Sequence, residues 1–278
     1  MADKERIVVK IGTSSLIQEN GRVNLASIDR LAFTLACVNN QGYQPILVSS
    51  GAIGVGLASL GLTKRPAEIA RQQALASIGQ TELMRIYSQR FLDYQTKVGQ
   101  ILITRDVLTF PVSLQHVIDT FEVLLADKVI PIVNENDQVA VDELDHHTMF
   151  SDNDELSAQV AVKVGASKLI VLSDIDAFYD ADPHQDPDAK VIRHVEQLTP
   201  EMEAAAGGSG SGLGTGGMVT KLRAAKTMLA AGKQMILCNG KDPAIIKDVL
   251  AGKEIELALE RGINHDDDGR NGPTGQGS

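Results

Sequence analysis

Short, uniformly apolar runs recur along the chain at Arg6–Ile11, Pro45–Val48, Val98–Ile103, Val129–Val133, Lys168–Leu172 and Met235–Leu237. Each is too short for a helix and lacks polar alternation, which predicts parallel strands covered on both faces. Between them lie longer segments of helical periodicity: Leu25–Asn40, closed by Gly42; Pro66–Tyr94, with an interruption expected at Gly79; Ser113–Asp127; Asp154–Val164; Thr220–Ala231; and Pro243–Leu250. Strands and helices in alternation predict an α/β fold, a three-layer α/β/α sandwich on a mostly parallel central sheet. Ligands of such sheets gather at the carboxyl ends of the strands, so chemistry is sought in the residues immediately C-terminal to each apolar run.

Composition narrows the function classes. Acidic side chains outnumber basic ones, leaving a net charge of −10, and no basic block occurs anywhere in the 278 residues. That excludes the concentrated Lys/Arg footprint of a nucleic-acid binder. Aromatic residues are only 4% of the chain and Trp is absent, so the core must be aliphatic. Cys37 and Cys238 stand far apart with no His at ligand spacing, which indicates two buried hydrophobes and neither a disulfide framework nor a zinc site. The opening MADKERIVVK has charges where a signal peptide needs its apolar core, and no apolar run reaches the eighteen or so residues of a membrane span. A soluble, cytoplasmic protein is expected.

Four segments carry candidate chemistry. Lys10 ends the first run and precedes Gly12, Thr13, Ser14 and Ser15. Small residues admit an anion close to backbone N–H groups, and a lysine adds a point charge for phosphate. The second run ends in Ser49–Ser50–Gly51–Ala52–Ile53–Gly54–Val55–Gly56, a second small-residue loop. Taken alone, each also reads as an ordinary βα turn. A third, Gly207–Lys221, feeds a helix with Lys221 in its first turn, which suits a polyphosphate and equally suits a flexible linker. Its Gly212-x-Gly214-x-x-Gly217 follows no strand and is not a dinucleotide fingerprint. The fourth is a long acidic stretch, from Asn134–Glu135–Asn136–Asp137 to Ser151–Asp152–Asn153–Asp154. Loops of this length are functional or unstructured; a solvated loop and a helix-start role for Asp154 remain open. Ser173 and Asp174 end another run and suit a nucleotide-facing pair, whereas Asp174, Asp176, Asp180 and Asp182 fail the calcium-loop pattern. The histidines read as surface or structural residues, and no resident metal site is indicated.

The order VVKIGTSSL, SSGAIGVG, PIVNENDQV, SDNDELSA, VLSD and GSGLGTGGMVTKL closely resembles the amino-acid kinase family, and within it the branch acting on glutamate. The resemblance runs from Ile7 to Leu250 and implies a catalytic domain over 1–261, without the C-terminal PUA domain of many bacterial relatives. The polar, glycine-rich 262–278 is expected to be a disordered tail. It further implies phosphoryl transfer from ATP with Mg2+ to the side-chain carboxylate of L-glutamate, the first step of proline biosynthesis, with L-proline as feedback inhibitor and a homo-oligomer, dimer or tetramer. By the same resemblance Lys10, Lys221 and Asp154 are catalytic. Ser50, Asp137 and Asn153 hold glutamate, Asp137 pairing with its ammonium and Asn153 with its α-carboxylate. Lys10, Ser173, Asp174, Thr215, Gly216, Gly217, Met218, Val219, Thr220 and Lys221 hold the nucleotide. A glutamate carboxylate is already ionised at neutral pH, so no general base is required. Two alternatives stay open: a kinase for another small acid such as carbamate, acetylglutamate or aspartate, and a silent amino-acid sensor.

Overall fold

The computed structural model describes residues 5–139, 153–174, 178–179, 191–192 and 217–253. The six predicted strands form one sheet: β1 (Arg6–Ile11), β2 (Gln44–Ser49), β3 (Val98–Ile103), β4 (Ile130–Glu135), β5 (Lys168–Ser173) and β8 (Gln234–Asn239). Its order is β3-β4-β2-β1-β5-β8, and every neighbouring pair is parallel. A small antiparallel pair, β6 (Phe178–Tyr179) and β7 (Val191–Ile192), was not foreseen.

Side-chain parity along the strands sorts the helices into two layers. Ile7, Val9 and Ile11 of β1 and Leu47 of β2 face a core shared with α2 (Leu25–Asn40), α3 (Ala52–Leu60), α4 (Ile69–Asp93) and α9 (Ile245–Leu250). Val8, with Ile46 and Val48, faces the opposite core, built with α5 (Arg105–Thr109), α6 (Pro111–Ala126), α7 (Asn153–Lys163) and α8 (Gly217–Ala230). A short α1 (Thr13–Leu16) follows β1. The three-layer sandwich with a parallel sheet is as expected; among the described residues no helix is long and apolar enough to cross a membrane.

Of the expectations built on glycines, one is refined and one fails. The loop expected after Ser49 is a sharp turn leading straight into α3, with Gly51 at φ 93° in the left-handed region that only glycine adopts freely. The break expected at Gly79 is absent, and α4 runs through it. Glycine inside a helix costs about 1 kcal/mol relative to alanine, but here it permits backbone contact between the two helices. A Cβ on Gly79 would lie 1.7 Å from the Ala52 carbonyl oxygen, and one on Gly56 2.1 Å from that of Leu75. The predicted tail and the glycine-rich stretch before Gly217 fall outside the described residues.

The amino edge of the sheet is tied by polar side chains. Arg6 pairs with Glu122 at 2.8 Å and donates to Gln44 at 3.2 Å, while Glu5 pairs with Lys168 and accepts from Ser167 at 2.8 Å. At the carboxyl edge, β1 leads to β2 on one side and β5 to β8 on the other, so a crevice opens between these strand ends.

The α3–α4 contact gives a direct test. Gly79→Ala forces the helices apart and is expected to lower stability by about 1–3 kcal/mol or more, as overpacking does, whereas Ile78→Ala, at a 42% exposed position of the same helix, is expected to cost far less. Urea unfolding of both variants measures this; equal effects would show that the contact is not tight.

Candidate active site

β1 lies in the centre of the sheet, and its parity points Lys10 toward the α7/α8 layer, where the residue is 4% exposed. The first turn of α7 supplies Asp154, fully buried, and α8 supplies Thr220 and Lys221, both 6% exposed. These groups converge on one carboxylate. Lys10 Nζ lies 2.6 Å from Asp154 Oδ1, Lys221 Nζ lies 3.3 Å from Oδ2, and Thr220 Oγ1 donates to Oδ2 at 3.2 Å. Burial by itself raises the Asp154 pKa, but the two ammonium charges outweigh it and hold the carboxyl below its ordinary value. Two lysines and one carboxylate leave one positive charge among the three, an arrangement matched to an anion. Gly12 lies alongside: a Cβ there would sit 3.8 Å from Lys10 Nζ and from the Leu172 carbonyl.

A cavity of about 340 Å³ adjoins this cluster, lined among others by Thr13, Ser50, Arg65, Glu135, Asp137 and Asn153. Its volume suits a small metabolite. Asn153 precedes Asp154, so one helix start serves both places. Asn153 Nδ2 donates to Ser50 Oγ at 2.8 Å and to Asn134 Oδ1 at 3.0 Å. Asn134 Nδ2 in turn donates to Gln80 Oε1 of α4 at 2.8 Å. Strand parity sends Ser50 toward α7 and Ser49 the other way, where its hydroxyl meets buried Tyr87 Oη at 2.8 Å. Asp137 is partly buried, and desolvation lifts its pKa above the ordinary value while the Arg65 charge pulls it down. Arg65 Nε donates to Gln72 Oε1 at 2.9 Å. Carboxylates and a guanidinium lining one cavity suit a zwitterionic small molecule.

The described residues thus bring Lys10, Asp154, Thr220 and Lys221 into one cluster and Ser50, Asp137 and Asn153 into one cavity. Ser173 and Asp174 end β5 at the crevice, where Ser173 Oγ donates to Asp174 Oδ1 at 3.0 Å and the Gly240 amide donates to the Ser173 carbonyl. Gly217, Met218 and Val219 open α8; Thr215 and Gly216 lie outside the described residues, as do 140–152 of the long loop. Sequence reasoning missed Arg65 and Gln80, and named Glu135 only as part of the acidic stretch, with no role of its own. Arg65 comes from the α3–α4 connection, and no motif spacing signals its approach to Asp137.

A profile of the amino acid kinase family matches residues 5–239. Glutamate 5-kinase of Lactiplantibacillus plantarum is 55% identical over 251 residues, covering 90% of this chain and 95% of that protein. The glutamate 5-kinase of Listeria monocytogenes is 54% identical over 255 residues, 92% of each chain. The solved carbamate kinase from Giardia lamblia bound to AMP-PNP shares the fold, with a TM-score of 0.61, 17% identity, and coverage of 91% of this chain and 97% of its own. The chain is an enzyme of the amino acid kinase family and belongs to its glutamate 5-kinase group.

Removing the shared carboxylate tests the cluster. Asp154→Asn leaves two buried ammonium groups without it and is expected to destabilise the fold by about 3–5 kcal/mol; Asp154→Asn/Lys10→Met, with one ammonium fewer, is expected to recover part of the loss. In the wild type, a depressed Asp154 pKa means its stabilising contribution is complete above the ordinary Asp value and is lost as pH falls through the lower folded-state value. Urea titrations across the acid range measure both.

Proposed function

We propose that this enzyme transfers the γ-phosphoryl group of ATP, carried as its Mg2+ complex, to the side-chain carboxylate of L-glutamate, forming L-glutamyl 5-phosphate, the first step of proline biosynthesis. The observation that carries the reading is the juxtaposition of the Lys10–Asp154–Lys221 cluster with a cavity bearing Ser50, Arg65, Asp137 and Asn153. Relatives more than half identical over nine-tenths of the chain support it.

Phosphoryl transfer depends mainly on positioning and charge stabilisation, and the residues divide accordingly. Lys10 and Lys221 neutralise charge on the transferring group, and Asp154 holds both ammonium groups in place. Asp137 accepts from the substrate ammonium in the cavity, with Ser50 and Asn153 completing the amino-acid subsite. Ser173, Asp174 and the stretch 215–221 cradle the nucleotide. The nucleophile is a carboxylate that is already ionised, so the residues here need only orient it and exclude water.

Trapping with hydroxylamine in the presence of MgATP tests the reaction: glutamate is expected to give a hydroxamate, whereas aspartate, acetylglutamate and bicarbonate with ammonia are not. Hydroxamate with another acid and none with glutamate would replace the substrate. Lys10→Ala and Lys221→Ala are each expected to lower kcat by about 10²- to 10³-fold, the usual loss for one preorganised charge. Folded variants with near wild-type turnover would contradict the assignment.

Asp137 must be ionised to hold an ammonium, so the glutamate KM is expected to rise as pH falls through its raised pKa. Arg65 opposes that rise, and Arg65→Gln is therefore expected to move the acid limb to higher pH. A limb that stays in place would remove Arg65 from the site. L-Proline shares the α-amino-acid end of glutamate but has no side-chain carboxylate, and it is expected to raise the apparent glutamate KM without affecting that of ATP. Inhibition undiminished at saturating glutamate would exclude a shared subsite.

A further inference from the structure

Gln80 is 6% exposed on α4, outside the cavity lining, yet it ends a chain of hydrogen bonds that begins inside it. The polarity of that chain is fixed by backbone groups. A backbone N–H can only donate, so the Glu135 amide, 2.9 Å from Asn134 Oδ1, identifies that atom as the oxygen. Asn134 therefore turns its amide nitrogen to Gln80, which answers with Oε1 at 2.8 Å. A backbone carbonyl can only accept, so Ser49 O, 3.4 Å from Asn153 Nδ2, fixes the Asn153 amide in the same way. Its two hydrogens meet three acceptors: Ser50 Oγ, Asn134 Oδ1 and the Ser49 carbonyl. The donors of Asn153 are thus engaged within the protein, and among the described residues its carbonyl oxygen has no partner, so it can meet a ligand. Ser50 Oγ accepts in this chain, so its own proton is available to donate.

We infer that Gln80 is a positioning residue for the amino-acid subsite: by accepting from Asn134 it holds in place the polarity that the Glu135 amide and the Ser49 carbonyl dictate, in which Ser50 presents a donor and Asn153 an acceptor to the acid substrate. This rests on the reading of the cavity as that subsite. It reverses the pairing expected from sequence for Asn153, giving a substrate carboxylate to the Ser50 hydroxyl and the ammonium to the Asn153 carbonyl and Asp137, which line the same cavity.

The test compares wild type, Gln80→Met, Gln80→Glu, Asn134→Ala and Gln80→Met/Asn134→Ala for glutamate KM, ATP KM, kcat and melting temperature. Methionine fills similar volume but offers Asn134 no strong acceptor, so Gln80→Met is expected to raise glutamate KM about tenfold, with kcat and ATP KM within about twofold of wild type. Gln80→Glu keeps an acceptor facing Asn134 and is expected to stay within about threefold of wild type. Because Gln80 acts through Asn134, adding Gln80→Met to Asn134→Ala is expected to change glutamate KM less than about twofold further. A folded Gln80→Met with wild-type glutamate KM, equal increases in both KM values, a Gln80→Glu as impaired as Gln80→Met, or additive effects in the double variant would each overturn the inference. If wild type phosphorylates a different acid, the proposed substrate falls and the same comparison is made with that acid, so the two failures are distinct.

Discussion

A carboxylate shut away from water must be compensated, and the compensation of Asp154 organises this molecule. Burying one ionised group alone is prohibitive, and two ammonium groups at hydrogen-bond range make it tolerable. Lys10, Asp154 and Lys221 come from a central strand and two helices of one layer. Their meeting therefore requires β1 between β2 and β5, the observed parity along β1, and α7 starting at the strand ends. The requirement runs in both directions: the sheet order brings the charges together, and their mutual satisfaction penalises any arrangement that separates them.

The opposite helix layer solves a different problem, that of holding a polar cavity still. Gly56 and Gly79 let α3 and α4 meet backbone to backbone, which sets Ser50 and the start of α3 against α4. From α4 come Tyr87, which fixes Ser49, and Gln80, which fixes Asn134. The polar groups around the cavity are thereby oriented by buried side chains that never line it. Rigid support of this kind gives directional hydrogen bonds their selectivity.

Much of this was legible in the chain. Runs of continuous apolar character mark the strands of a parallel sheet, because both faces are covered, and all six appear within one or two residues of their expected places. The parity that turns Lys10 toward α7 and α8 is equally a sequence property, since Val8 and Lys10 lie on one side of β1. The glycines were harder to read. Gly51, Gly54, Gly56 and Gly79 signal irregular backbone in isolation, and only tertiary contact reveals that two of them serve close helix packing. Arg65 and Gln80 carry no local signature, because their roles depend on partners more than fifty residues away, Asn134 for Gln80 and Asp137 for Arg65.

The two edges of the sheet differ mechanically. At the amino edge, Arg6 bridges β1 to Gln44 at the start of β2 and to Glu122 of α6, and Glu5 reaches Lys168 at the start of β5. At the carboxyl edge β1, β2 and β8 run into Gly12, Gly51 and Gly240, and the strand ends are joined by side chains of the site itself, Asn153 reaching both Ser50 after β2 and Asn134 of β4. The sheet is thus tied at both ends by different means, at the amino edge by ion pairs and at the carboxyl edge by hydrogen bonds among cavity-lining side chains. A ligand that engages Ser50 or Asn153 therefore acts on the very side chains that join the strand ends, so that filling the site and tightening that edge of the sheet are one event.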